Sequence, residues 1–394
     1  MKLIEYDLQK IEGYCDIFKK TPQELAQFVN NISYAGDPGN ILMGMFYVFS
    51  SLNQNDFGQE MQVKAFQYRK LYRLTDPTTV AIKLLVLSGP GGMENNAPID
   101  FIVQNKNIRL DVLFITLDND SFTEIPDHDV AFIAIGESTA HLPILEKISQ
   151  LLTHWPKPYI NPIDRLYLCR RDRLPKLLIN HPNILIPPCL RISREGLENM
   201  AIDQPLTIRP IDTHGGLGLE KIGSREELNL YLSQCQETQA FYVSHYVDYQ
   251  SKDGKFRKYR IALIDKKPYI CHLAISDDWI VKYLAAGMHE DSTKRAEEQW
   301  VMEHFAEDFA VLHHDALFTI AEVLDLEYII IDCAQTADGK LLLFEADGGA
   351  WIHATDPPDI FPYKAAIMQK AFDAFEQLLI KKINHSKGFT ERTP

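Results

Sequence analysis

The stretch from residue 328 to 350, YIIIDCAQTADGKLLLFEADGGA, constrains the fold more than any other part of this chain. Two apolar, β-rich runs at 328–331 and 341–344 flank Asp338-Gly339, a dipeptide that favours a two-residue hairpin turn of type I′. With that turn, Asp332 pairs with Glu345, and Asp347 falls opposite Ile330. Side chains alternate between the faces of a strand, so Asp332, Glu345 and Asp347 are expected on one face. Like charges directly opposed destabilise a sheet. Three carboxylates on one face therefore need compensation, and a hard divalent cation with oxygen ligands supplies it. The plainer alternative is a hairpin whose acidic ends face solvent. A bulge would shift the register and undo the convergence.

Upstream, residues 206–222 read LTIRPIDTHGGLGLEKI. A short strand ends in Arg209-Pro210, a loop holding Gly215, Gly216 and Gly218 follows, and a strand resumes at 219–222. Glycines let backbone N–H groups come close to a phosphate, although a lone glycine-rich loop is equally a flexible hairpin. No G-K-[ST] follows, and the next element reads as a strand, so neither the P-loop nor the dinucleotide fingerprint applies. Between the two features lies DGKFRKYRIALI at 253–264, which carries Lys255, Arg257, Lys258 and Arg260. Lys258 and Arg260 share one strand face, with Ile261 and Leu263 on the other. Such a strand is either a solvated basic face or a source of cations for phosphate or oxyanion charge.

The basic strand stands out because the chain is acidic: 40 Lys and Arg against 54 Asp and Glu, net −14. That balance argues against a nucleic-acid binder and against docking on an anionic membrane. No apolar run approaches membrane-helix length, and the opening MKLIEYDLQK lacks the apolar centre of a signal peptide. Six cysteines without a C-x-x-C pattern fit a reduced, cytoplasmic protein.

A length of 394 residues favours two or three domains. Residues 1–75 are expected to be helical: Ile4, Leu8, Ile11, Tyr14 and Phe18 fall at helical spacing, and Thr21-Pro22-Gln23-Glu24 is a capping box. Strands at 82–87, 110–117 and 130–135 alternate with short helices, which predicts an α/β domain over 77–160. The remainder, 161–383, reads as strands with helices at 174–178, 225–234, 295–324 and 364–381, and a loose tail is expected at 384–394.

The order of these features, a glycine-rich strand pair, a basic strand, then D-x(12)-E-x-D on a late hairpin, resembles the ATP-grasp superfamily over roughly residues 77–380. The chain looks most like ATP-grasp modules placed behind tetratricopeptide-type helical segments in bacterial proteins. That impression rests on NAPIDF at 96–101, PDHDVAF at 126–132, GKFRKYR at 254–260 and HLAIS at 272–276. The resemblance implies an α/β protein with an α+β ATP-grasp fold: a helical segment, a pre-ATP-grasp domain, then a two-lobed ATP-grasp domain. It implies ATP and magnesium as cofactors, with two ions and manganese as a substitute. Asp332, Glu345 and Asp347 would be the metal ligands, and Arg260 the catalytic cation aimed at an acyl phosphate. Arg209 would contact phosphates, as would Arg173 or Lys176. His214, Gly215, Gly216 and Gly218 would form the loop over the γ-phosphate. His245, Tyr246 and Val247 would form the adenine hinge, with Lys258 nearby. Four departures stand out: Asp347 for asparagine, Arg209 for lysine, no acidic residue in the hinge, and Lys258 where some members carry aspartate.

The activity implied is ligation. A substrate carboxylate, on a small molecule or a peptide, is activated as an acyl phosphate with release of ADP, then attacked by an amine or another nucleophile. A phosphotransferase acting on a hydroxyl and a nucleotide-binding scaffold without catalysis are the alternatives. Neither nucleic acid nor membrane is expected as a partner, and a homodimer is compatible with the helical segment.

Overall fold

The computed structural model describes residues 1–32, 36–118, 123–136, 138–213 and 215–390. The chain folds as the α/β protein expected, built on three larger sheets and a two-stranded one. The first sheet has the order Leu71–Thr75, Ile108–Phe114, Ile82–Ser88, Val130–Ile133, Tyr159–Ile160, parallel except at its first pair. Its central strands are almost wholly buried and mostly apolar, and the charged residues they carry are paired, as Asp111 is with Arg73 Nε at 2.8 Å.

Two N-terminal expectations are corrected. Lys2–Ile4 is a strand paired parallel with Glu124–Pro126, and helix begins only at Tyr14–Phe18. Leu71–Thr75 belongs to the first sheet, so the helical segment ends before it. Helical spacing at residues 4–18 was outweighed by a tertiary contact, since an extended segment can lie along an open edge and fill its hydrogen bonds. The capping box does form: Glu24 accepts from the Thr21 N–H at 2.8 Å, and the Glu24 N–H donates to Thr21 Oγ1 at 3.3 Å.

The rest of the chain makes two sheets. The small one is antiparallel, in the order Glu220–Ile222, Leu206–Pro210, Ala240–His245, Cys189–Ser193. It has its own core, in which Ile208, Phe241 and Val243 meet Leu228, Tyr231 and Leu232 of the helix Arg225–Gln234. The large sheet has the order Lys267–Ser276, Phe256–Ile264, Tyr328–Gln335, Leu341–Asp347, Ile184–Leu185. Where one helix was expected at 295–324 there are three, Ser292–His304, Phe309–Leu312 and His314–Leu324. The final helix, Lys364–Thr390, continues through most of the tail expected to be loose, and His385 Nδ1 lies 2.8 Å from the Lys381 carbonyl within it.

The first and large sheets share one continuous core. Phe132, Tyr328 and Phe375 pack edge to face with centroids 5.4–5.6 Å apart, joining sheet, sheet and final helix. At the joint the fully buried Asn161 donates through Nδ2 to the Tyr328 carbonyl at 2.8 Å and accepts from the Tyr328 N–H at 3.0 Å.

The N-terminal segment is pinned by Asp100, which is 3% exposed and accepts the Cys15 N–H at 2.7 Å, while its Oδ1 has no partner. Burial pushes the Asp100 carboxyl up to about 6 from 3.8. A raised carboxyl pKa means the folded state binds the proton more tightly. Its favourable contribution is therefore full below pH 4 and is lost as pH climbs to about 6. The loss amounts to about 3 kcal/mol. Asp100→Asn keeps an acceptor and removes the charge. Urea unfolding at pH 4 and pH 7 should find it more stable than wild type at pH 7 but not at pH 4; an equal difference at both would refute the assignment.

Candidate functional site

The late hairpin forms with a different turn from the one expected. The Thr336 N–H donates to the Lys340 carbonyl at 3.0 Å and the Gly339 N–H to the Thr336 carbonyl at 2.9 Å, which closes a three-residue loop with Gly339 left-handed at φ +84°. That loop shifts the register by one, so Gln335 pairs with Leu341 and Cys333 with Leu343. A bulge then follows between Asp332 and Cys333, leaving Phe344 unpaired, and shifts it back. The two deviations cancel, and Asp332 does face Glu345 while Ile330 faces Asp347.

On its other side Asp332 faces Arg260 of the strand Phe256–Ile264. Asp332 is 3% exposed, and its partners are cations. Arg260 grips it with both prongs, Nε to Oδ1 at 2.8 Å and Nη2 to Oδ2 at 3.0 Å, and Lys258 Nζ adds a bond to Oδ2 at 3.0 Å. Burial alone would raise the Asp332 pKa; Arg260 and Lys258 outweigh it and hold the carboxyl well below the usual range. Burial likewise pulls Arg260 down, and Asp332 more than reverses this. Glu345 follows the same pattern. Burial pushes it up, and Arg171, which donates to Oε2, draws it below its ordinary value. The expected compensation of the carboxylates is therefore supplied first by side chains: Lys258 and Arg260 on Asp332, and Arg171 on Glu345. Among the described residues, no three His, Cys, Asp or Glu side chains are arranged to hold a metal ion. The donor chemistry still fits a hard cation, because Glu345 Oε1 carries no protein hydrogen bond among the described residues.

The small sheet meets this cluster. Arg209, 8% exposed, donates through Nε to Thr213 Oγ1 at 3.1 Å at the start of the glycine-rich loop. Burial and the neighbouring Arg171 lower its pKa to about 10, while the Glu345 charge acts in the opposite sense. In the loop, Gly215, Gly216 and Gly218 all take positive φ, between +60° and +74°. A Cβ on Gly216 would lie 3.0 Å from Lys282 Cε, so Lys282 passes directly over the loop. His214 lies outside the described residues. In the expected hinge His245 is exposed, and the Tyr246 N–H donates to the Pro205 carbonyl at 2.9 Å. Lys221 Nζ sits 3.7 Å above the Tyr246 ring, and Val247 packs on the main core.

Arg173 and Lys176 are exposed and make no ion pair among the described residues, whereas Arg171 reaches Glu345. Sequence reasoning also missed Lys282 and the pair Gly348-Gly349 behind Asp347. The Gly349 N–H donates to Asp347 Oδ1 at 2.7 Å, and a Cβ on Gly349 would stand 2.2 Å from the Gly136 nitrogen. The loop after Asp347 therefore lies directly on the first sheet's Gly136 loop.

No family model matches the chain, and no curated protein does. Solved structures similar to it include a D-alanine–D-alanine ligase from Bacillus anthracis complexed with ATP, at 14% identity and TM-score 0.44, covering 78% of this chain and 99% of that one. The VanG D-Ala:D-Ser ligase from Enterococcus faecalis matches at 16% identity and TM-score 0.46, covering 76% and 99%. An ATP-grasp RimK domain protein from Sphaerobacter thermophilus matches at 11% identity and TM-score 0.42, covering 74% and 98%. Among the described residues no helix is long and apolar enough to cross a membrane, and all six cysteines are free thiols.

Gly349→Ala tests the contact between the two loops. The obstructing atoms are backbone, which cannot rotate away, so the variant should lose about 1–3 kcal/mol in urea unfolding. An unchanged midpoint would show that the loops are not in contact.

Proposed function

We propose that this protein is an ATP-dependent ligase of the ATP-grasp kind, which activates a substrate carboxylate as an acyl phosphate and passes the acyl group to an amine or another nucleophile. The observation that carries the reading is the meeting of two sheets on one charged cluster. Asp332 and Glu345 face each other in the large sheet, and Arg209 of the small sheet feels the Glu345 charge beside a glycine-rich loop. Opposed carboxylates ringed by Arg171, Lys258 and Arg260 suit a polyphosphate brought in with a hard cation.

The work of this chain's residues follows from their places. The loop glycines add no side chains of their own over their backbone N–H groups, and Lys282 and Arg209 bring positive charge beside them. Asp332, Glu345 and Asp347 would hold magnesium, which supplies Lewis-acid neutralisation of the charge developing on the phosphates when it is bound. A carboxylate oxygen of the substrate forms a bond to the γ-phosphorus while the bond to the ADP oxygen breaks. The nucleophile then bonds to the acyl carbon, phosphate leaves, and the nucleophile gives up its proton. Arg260 is fixed in plane by Asp332, so it faces the oxyanion of that second step without reorganising. The glycine-rich loop keeps water from the acyl phosphate. The substrate is a small molecule or peptide bearing a carboxylate, and the reduced thiols fit a cytoplasmic setting.

Two measurements check this. In thermal unfolding with ATP and magnesium at 100 times their dissociation constant, wild type should gain about 2.7 kcal/mol. Glu345→Gln retains an acceptor for Arg171. It should unfold close to wild type without ligand, lose most of the magnesium-dependent gain, and release no ADP with any carboxylate and amine pair. Full ADP release by Glu345→Gln would sink the assignment.

A further inference from the structure

The N-terminal segment reaches the site through a row of aromatic rings. Its first helix, Tyr14–Phe18, is held by the bond from the Cys15 N–H to Asp100, and the next residue after Asp100 is Phe101. Phe18 is thereby set against Phe101, edge to face with centroids 5.5 Å apart. Phe18 also meets Trp351 at 6.4 Å, and Trp351 stacks with Phe101 at 5.7 Å and with His353 at 4.8 Å. The other end of the row lies at Arg260, whose Nη1 donates to the Trp351 carbonyl at 3.4 Å. Phe101 is buried, Trp351 and His353 are half-buried, and Phe18 is 38% exposed. Apolar ring surface is therefore left uncovered beside the cation assigned to the acyl group.

The same end carries two unused hydrogen-bond donors. The Thr355 N–H donates to His353 Nδ1 at 3.3 Å, and a backbone N–H can only donate, so the neutral ring carries its hydrogen on Nε2. Burial and the Arg260 charge lower the His353 pKa to about 4, which keeps the ring neutral at pH 7. Nε2–H has no partner among the described residues, and Arg260 Nη1 has a second N–H besides the one given to Trp351. Two donors at one end and rings running away from them suit a ligand with a carboxylate oxygen at its head and a flat apolar group behind it.

We propose that Phe18, Trp351 and His353 form the subsite for an aromatic group attached beside the carboxylate that Arg260 faces, so that the substrate is an aryl-bearing carboxylate and the N-terminal helix is part of its site. This deepens the ligase reading and rests on it. With the carboxylate at Arg260, the atoms bonded next to it lie along the rings, which fixes what covers them. Edge-to-face and offset ring pairs gain contact energy beyond the area they bury, so an aryl group is favoured over an aliphatic one.

The test uses two probe carboxylates that differ by a benzyl group, N-acetylphenylalanine and N-acetylglycine. Each is titrated into the full chain with magnesium and a non-hydrolysable ATP analogue, and binding is followed by saturation-transfer NMR. Wild type should bind N-acetylphenylalanine about tenfold more tightly or better. Phe18→Ala removes a partly exposed ring and should cut that preference to about threefold. Equal affinities in wild type, or no binding of either probe, overturn the proposal. So does an undiminished preference in folded Phe18→Ala. Should Phe18→Ala not fold, Phe18→Leu, which keeps apolar bulk without a ring, decides in its place and should lose part of the preference. Equal probe affinities beside a magnesium-dependent gain with ATP in thermal unfolding strike the subsite alone. A ring preference without that gain strikes the ligase reading and leaves the aryl subsite.

Discussion

A carboxylate buried in the middle of a sheet must be paired, and much of this molecule's charged architecture follows from pairing Asp332. At 3% exposure an unpartnered charge would cost several kcal/mol. The solution is local and directional: Arg260 stands directly across the ladder and meets both oxygens, and Lys258 adds a third bond at Oδ2. This arrangement gives the basic residues Lys258 and Arg260 of the strand Phe256–Ile264 their place. One face serves the carboxylates, and the other, through Ile261 and Leu263, serves the core. Removing either cation would leave buried charge, which makes the cluster a constraint on the fold as well as a candidate for chemistry.

The same cluster depends on contacts far away in the sequence. Asn161 ties the end of the first sheet to the backbone of Tyr328, one residue before the apolar run that leads to Asp332. Gly349 and Gly136 bring the loop behind Asp347 onto the first sheet with no room for a side chain. Arg209 belongs to a sheet that packs its own core, separate from the main one.

Much of this was legible in the residues. The periods of apolar residues located three of the five strands of the first sheet and the helices Leu174–Leu178 and Arg225–Gln234, because strong local patterns leave few alternatives. The hairpin pairing of Asp332 with Glu345 was also legible, although by a route that the structure corrects, since a longer turn and a bulge offset each other. Residues 2–4 misled because helical spacing carries no information about an edge strand elsewhere that can accept them. Arg171 was missed in favour of Arg173 and Lys176 because a chain of mixed basic residues does not state which one turns inward.

The sequence alone determined that three carboxylates and a basic strand occur in a fixed order around a glycine-rich loop in an acidic α/β protein. These are statements about alternation, turn chemistry and composition, which depend on neighbours in the chain. Only the tertiary structure decided that Asp332 is met by Lys258 and Arg260 and Glu345 by Arg171, that Arg209 comes within reach of the Glu345 charge, and that Lys282 lies over the glycine-rich loop. The physical reason is that electrostatic pairing of buried groups depends on distance and desolvation in space. Both are set by how sheets pack, and residues 74 or 174 positions apart carry no local mark of meeting.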